Sequence, residues 1–179
     1  MDETMNSQPQ SDPPGATPRR LRVLIAEDSE DDMLIVLHAL RKAGYEPLCE
    51  RVWTAPGMQA ALQKQAWDVV ISDYEMPGFG GFEALELLKA SGQDLPFILV
   101  SAVVSEETAV AAMKAGAHDF IMKRKLARLA PAIERELREA QTRAARKAAE
   151  AALRHSEDRR PPRERVRCGK SRHAAGRAA

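Results

Sequence analysis

Cysteine is scarce in this chain, aromatic residues are few, and no long hydrophobic run occurs. Cys49 and Cys168 are the only cysteines among 179 residues. They lie in segments of unlike character, which excludes a disulfide framework. The N-terminus lacks the basic-then-apolar order of a secretory signal. The longest near-continuous apolar stretch, residues 95–104, carries Pro96 and Ser101 and falls far short of the ~20 residues that cross a bilayer. No membrane span is expected, and the location expected is the cytoplasm. With 4% aromatic residues, Trp53 and Trp67 are expected in the core and not on a stacking platform. Charge, by contrast, is plentiful: 44% hydrophobic and 30% charged residues is the composition of a soluble globular protein, and the length suits one core with tails. The net charge of +1 conceals a division, because residues 159–179 hold seven Arg and one Lys against one Glu, a local +7 that leaves −6 on residues 1–158.

Residues 1–18 contain four Pro and one Gly and almost no large apolar side chain. They bury too little surface to offset the entropy of ordering, so a disordered tail is expected. Beyond it, short apolar runs alternate with helical periods. Strands are expected at 21–26, 47–53, 68–73, 96–101 and 118–123. The first helix carries Met33, Leu34, Leu37 and Leu40 on one face and stops at Gly44. The second, 55–67, carries Met58, Ala61, Leu62 and Gln65; the third, 82–90, has Gly92 beyond its end. The fourth, 105–117, opens with Ser105 and Thr108 as cap candidates and with Glu residues that suit a helix N-terminus. Strands separated by such helices imply an α/β domain over 19–140, a parallel sheet covered on both faces.

In open sheets of this kind ligands sit beyond the carboxyl ends of the strands. Glu27 and Asp28 follow the first strand, Asp73 ends the third ahead of MPGFGG, Ser101 ends the fourth, and Lys123 ends the fifth. If strands one and three are neighbours, three carboxylates converge, and like charges at such range need a counter-charge. A hard divalent cation with oxygen ligands, Mg²⁺, meets that need. Each residue also has a plainer reading. Glu27 and Asp28 suit capping of the first helix, as does Ser29; Asp73 suits a turn, Ser101 a buried hydroxyl, Lys123 a solvated surface charge. His38 and His118 are expected to be partly exposed and without a role.

Four motifs in this order, Glu27-Asp28 in VLIAEDSEDD, DYEMPGFGG, the Ser-Ala step in ILVSA and the aromatic-x-x-Lys step FIMK, resemble the receiver domains of two-component response regulators. The resemblance covers about residues 20–140. It implies a doubly wound, flavodoxin-like sheet of five parallel strands in the order 2-1-3-4-5. It implies that Asp73 accepts a phosphoryl group as a covalent nucleophile. Asp28, Asp73 and the backbone carbonyl of Glu75 would bind Mg²⁺ directly, Glu27 through water, and Lys123 would hold a phosphoryl oxygen. Ser101 and Phe120 would form the switch, the hydroxyl swinging to the phosphoryl group and the ring following. Glu75 and Val103, each two residues past a site residue, would tune phosphate lifetime. The implied partners are a sensor histidine kinase or a histidine phosphotransfer protein, and the chain would not be an enzyme beyond its own phosphorylation and dephosphorylation. The sequence departs from the family in Phe120 for the commoner Tyr, in Glu-Asp where Asp-Asp is frequent, and in Arg124 where Pro usually follows the lysine, which leaves Lys125 as a rival to Lys123. The same acids also serve two alternatives, a pseudo-receiver that binds partners without taking phosphate and a flavodoxin-like phosphatase.

Residues 126–158 are rich in helix formers, with Leu126, Leu129, Ile133, Leu137, Ala140 and Ala144 at three- and four-residue steps. One long helix is expected, with Pro131 in its first turns or else with a start near Ala130, packed on the sheet at first and projecting over 141–158, where a homodimeric coiled coil would relieve its isolation. The basic tail, 159–179, has Val166 as its only large aliphatic residue and is expected to be disordered. No aromatic or folded reader accompanies its charge, so nucleic-acid binding is not expected. The abrupt change after Asp158 suggests a truncated or frame-shifted gene.

Overall fold

The computed structural model describes residues 18–103 and 105–158; the rest of the expected N-terminal tail and the basic tail lie outside the described residues. Strands and helices alternate as β1 (Arg19–Ala26), α1 (Glu30–Lys42), β2 (Tyr45–Val52), α2 (Ala55–Lys64), β3 (Val69–Asp73), α3 (Gly81–Ala90), β4 (Phe97–Ser101), α4 (Glu106–Lys114) and β5 (Asp119–Met122), followed by a 3-10 turn (Lys123–Arg128) and α5 (Leu129–Asp158). The five strands are parallel in the order β2-β1-β3-β4-β5, the doubly wound α/β arrangement that the sequence pattern and the resemblance imply. Among the described residues no helix is long and apolar enough to cross a membrane.

The strand composition follows from burial. β3 (VVISD) and β4 (FILVS) are buried at every position, as strands covered on both faces must be. Successive side chains alternate between two cores. Val23, Ile25, Val69, Ile71, Ile98 and Val100 pack with α1 and α5; Leu24, Val70, Phe97 and Leu99 pack with α2, α3 and α4. At α1 the Ser29 hydroxyl accepts from the Asp32 amide, the first turn is acidic (Glu30, Asp31, Asp32) and the last is basic (Arg41, Lys42), each charge set against the favourable end of the helix dipole. Ser105 caps α4 in the same way, accepting from the amide of Thr108.

Three expectations are corrected. Trp53 is 51% exposed, because β2 begins earlier, at Tyr45, and ends at Val52, so the indole falls outside the core and lies under the Arg51 guanidinium, 4.6 Å from the ring centroid. Trp67 is buried as expected, its indole N–H donating to the Ala61 carbonyl. Leu34 is exposed, and the buried residues of α1 are Val36, Leu37 and Leu40, with Met33 packed beside them; the apolar stripe is rotated from the one expected. α2 ends at Lys64, which leaves Gln65 as an exposed C-cap. The long helix starts at Leu129, which agrees with the expected start near Ala130 and not with one at 126, because Lys125 leaves helical geometry (φ −123°, ψ 31°) and Leu126 turns into the core. Pro131 then falls in the first turn of α5, where its missing N–H has no intrahelical acceptor to lose.

The chain divides into two units, residues 1–143 and 144–179. The first contains the sheet. In the second, α5 continues to Asp158, and its side chains from 144 to 154 are exposed.

Candidate functional site

Strand register brings the chemistry together. β1 and β3 pair with Ala26 opposite Ser72, so the next residues along, Glu27 and Asp73, stand side by side where strand order reverses. β3 and β4 pair with Asp73 opposite Val100, and β4 and β5 with Ser101 opposite Met122, so Ser101 and Lys123 each lie one step beyond a partnered residue at the same edge. The loop after β3 is shaped by its glycines. Gly78 has φ +74°, a backbone region that favours glycine, and a Cβ on Gly81 would sit 2.3 Å from Leu99 Cδ2 and 2.9 Å from the Asp73 carbonyl oxygen. α3 therefore starts against the back of Asp73, which only a glycine at 81 permits.

One oxygen each from Glu27, Asp28 and Asp73 lies within 4.8 Å of the others. Glu27 is buried, with Oε1 accepting from the Ser29 amide at 3.1 Å and Oε2 from Lys123 Nζ at 3.0 Å. Asp28 is exposed. Asp73 is 8% exposed; its Oδ1 accepts from the Tyr74 amide at 2.9 Å and its Oδ2 lies 3.4 Å from Lys123 Nζ. The same ammonium also donates to Asp32 Oδ2. Of the two rival lysines, Lys123 is the one at the acids, while Lys125 is exposed.

Three carboxylates, Glu27, Asp32 and Asp73, thus share one ammonium. Burial pushes the Glu27 and Asp73 carboxyls above the usual range even though Lys123 pulls both back. Burial alone would lower the Lys123 ammonium, but hydrogen bonds to Asp32 and Glu27 and the charge of Asp73 raise it, so it stays protonated. Three hard oxygen donors at this spacing, with their repulsion only partly met, suit a small divalent cation such as Mg²⁺.

Ser101 is buried, and its hydroxyl donates to the Val103 carbonyl at 2.6 Å and accepts from the Val103 amide at 3.3 Å. The hydroxyl is thus engaged with its own loop. Phe120 is half-buried, its ring 6.2 Å from that of Tyr74 in an edge-on arrangement. Glu75 and Val103 are exposed. His38 is exposed, while His118 Nδ1 accepts from the Phe97 amide at 3.1 Å and so serves the fold.

Three residues escape sequence reasoning. Asp32 sits in an acidic run that also suits a helix N-terminus, so nothing local singles it out as a partner of Lys123. Tyr74 contacts both Phe120 and Phe82, the latter at 5.7 Å between ring centres; its place beside Asp73 is the only signal. Arg51 Nη1 donates to the carbonyl oxygens of Glu27 at 3.2 Å and Asp28 at 2.9 Å.

Residues 23–134 match the response regulator receiver domain. The sensory/regulatory protein RpfC of Xanthomonas campestris pv. campestris is 36% identical over 113 residues, which are 61% of this chain and 15% of RpfC. The transcriptional regulatory protein PrrA of Mycobacterium tuberculosis is 30% identical over 102 residues, 57% of this chain and 43% of PrrA. The chain thus spans less than half the length of either. Among solved structures, the signal receiver domain of a signal transduction histidine kinase from Syntrophus aciditrophicus is similar with a TM-score of 0.55 and 31% identity, over 66% of this chain and 91% of that one.

Proposed function

The chain belongs to the response regulator receiver family of two-component systems, and on that premise we propose that Asp73 is its phosphoacceptor, charged by a sensor histidine kinase or a histidine phosphotransfer protein in the cytoplasm. The observation that carries this reading is the meeting of Glu27, Asp28, Asp73 and Lys123 at one edge of the sheet. A carboxylate oxygen of Asp73 forms a bond to phosphorus as the P–N bond of the donor phosphohistidine breaks. The electron pair stays on the imidazole, which takes up a proton, and an acyl phosphate results. Phosphoryl transfer asks mainly for positioning and charge neutralisation. The Lys123 ammonium, held in the charged state, donates to a phosphoryl oxygen. Asp28, Asp73 and the Glu75 backbone carbonyl would hold Mg²⁺ directly, and Glu27 through water; the ion, when bound, neutralises charge on the transferring group.

The switch follows from charge. A phosphoryl group brings a charge of roughly −2 and strong acceptor oxygens, which draw the Ser101 hydroxyl away from Val103, and the Phe120 ring moves with it. The chain acts as an acceptor and not as a turnover catalyst. The helix beyond residue 143, with its side chains exposed from 144 to 154, would pair with a second copy.

Acetyl phosphate or beryllofluoride with Mg²⁺ tests the reading. With acetyl phosphate we expect the mass gain of one phosphoryl group, and with beryllofluoride a bound complex, both lost in Asp73→Asn. No modification would favour the pseudo-receiver, and sustained hydrolysis of an external phosphoester would favour the phosphatase.

A further inference from the structure

Arg51 lies on the edge strand β2, in register with Ile25 of β1. Its Nη1 donates to the carbonyl oxygens of both Glu27 and Asp28, at 3.2 and 2.9 Å. The Glu27 amide in turn donates to the Val52 carbonyl at 2.9 Å. The two-residue link between β1 and the cap of α1 is therefore tied to β2 on both its donor and its acceptor side. On its far face the guanidinium stacks on Trp53, which is half-exposed and otherwise outside the core. A planar guanidinium both stacks and donates to two acceptors, where an ammonium on a flexible stem does less of each.

We infer that Arg51 is a positioning residue for the Mg²⁺ site: by clamping the Glu27 and Asp28 carbonyls it fixes the link that presents both carboxylates, and Trp53 holds Arg51 in that pose. The inference rests on the proposed receiver function. It also has a sign that separates it from simple electrostatics. Arg51 is a cation beside a cation site, so its charge alone weakens Mg²⁺ binding, and removing it would tighten binding. Loss of positioning does the opposite, because the link must then be ordered at the expense of binding free energy.

The test is calorimetric titration of the whole chain with Mg²⁺ alone, on the parent, Arg51→Gln, Arg51→Lys and Trp53→Ala. Arg51→Gln should weaken binding by roughly tenfold, the lower end of what losing a ligand-orienting partner costs. Arg51→Lys, which keeps the charge but not the stack or the paired donation, should fall between parent and Arg51→Gln. Trp53→Ala changes no charge and should weaken binding by roughly two- to threefold, a fraction of a stacked cation's contribution. Equal or tighter binding by Arg51→Gln overturns the inference, as does Arg51→Lys binding like the parent. Unchanged binding by Trp53→Ala overturns the part assigned to the indole. Thermal melts without metal identify variants that fold, and Arg51→Lys with Trp53→Ala decide the matter if Arg51→Gln does not. A parent chain that binds no Mg²⁺ brings down the receiver reading itself, and the inference with it; normal Mg²⁺ binding and Asp73 modification in the parent isolate failure of the inference alone.

Discussion

Two loops at the same edge of the sheet are held in opposite ways. The link after β1 is bound across the fold: Arg51 and Val52 of β2 hold its backbone, and Lys123, 96 residues away from Glu27 in sequence, holds its side chain. The loop after β4 is held locally, with the Ser101 hydroxyl bonded only two residues on, to Val103, which is 73% exposed. A charge site must be preorganised, because ordering its ligands during binding weakens binding. A readout must have two arrangements of similar free energy. The acidic end is held as the first requires, and the proposed switch assigns the second to the β4–α4 loop, whose buried hydroxyl is bonded only to its own loop.

The contrast is most sharply tested at Lys123. Replacing it with Ala should weaken beryllofluoride binding by roughly ten- to a hundredfold, since a charged hydrogen bond contributes about 1.5–3 kcal/mol; a change under twofold would remove the lysine from the site. Gly81→Ala should destabilise the chain by about 1–2 kcal/mol in urea melts, because its Cβ must displace Leu99 and crowd the Asp73 carbonyl. A neutral result there would mean that the acceptor loop is not rigidly set. Asp32→Asn should tighten beryllofluoride binding by roughly threefold, about 0.7 kcal/mol, by releasing Lys123 from a partly exposed partner. Asp31→Asn, an exposed neighbour on the same turn, is the control, and an equal effect would make the gain one of charge alone.

The smallest effect is expected far from both loops, at the opposite end of β3. Burial would raise the Asp68 carboxyl, but the Arg22 side chain and amide outweigh it and hold the group below its ordinary value of 3.8. A depressed carboxyl contributes stability above its unfolded value and loses it as pH falls. Asp68→Asn should therefore cost less than about 1 kcal/mol near neutrality, as befits a half-exposed pair, and nothing in strong acid. Melts at both pH values check this, and a cost that persists in acid would mean that packing, not charge, is lost.

The order of elements was legible because buried strands and half-buried helices differ in period and length. Asp73, Lys123 and the acidic pair were legible because polar residues that end apolar strand runs stand out. Trp53 misled, since an aromatic at a strand end looks the same whether it enters the core or stacks on a neighbouring arginine. Leu34 misled because α1 has apolar residues on more than one side, and only the sheet chooses among them. Asp32 and Arg51 were invisible for a related reason: each is an ordinary surface residue until a distant strand supplies its partner.

By itself the sequence determined the alternation of strands and helices and which side chains stand at strand ends, because both follow from local periodicity and from the cost of burying charge. Tertiary structure alone decided which of several nearby acids shares the lysine, which way the Ser101 hydroxyl turns, and which arginine grips the acidic link. Those choices depend on register between strands and on contacts between residues far apart in the chain, and no local pattern encodes them.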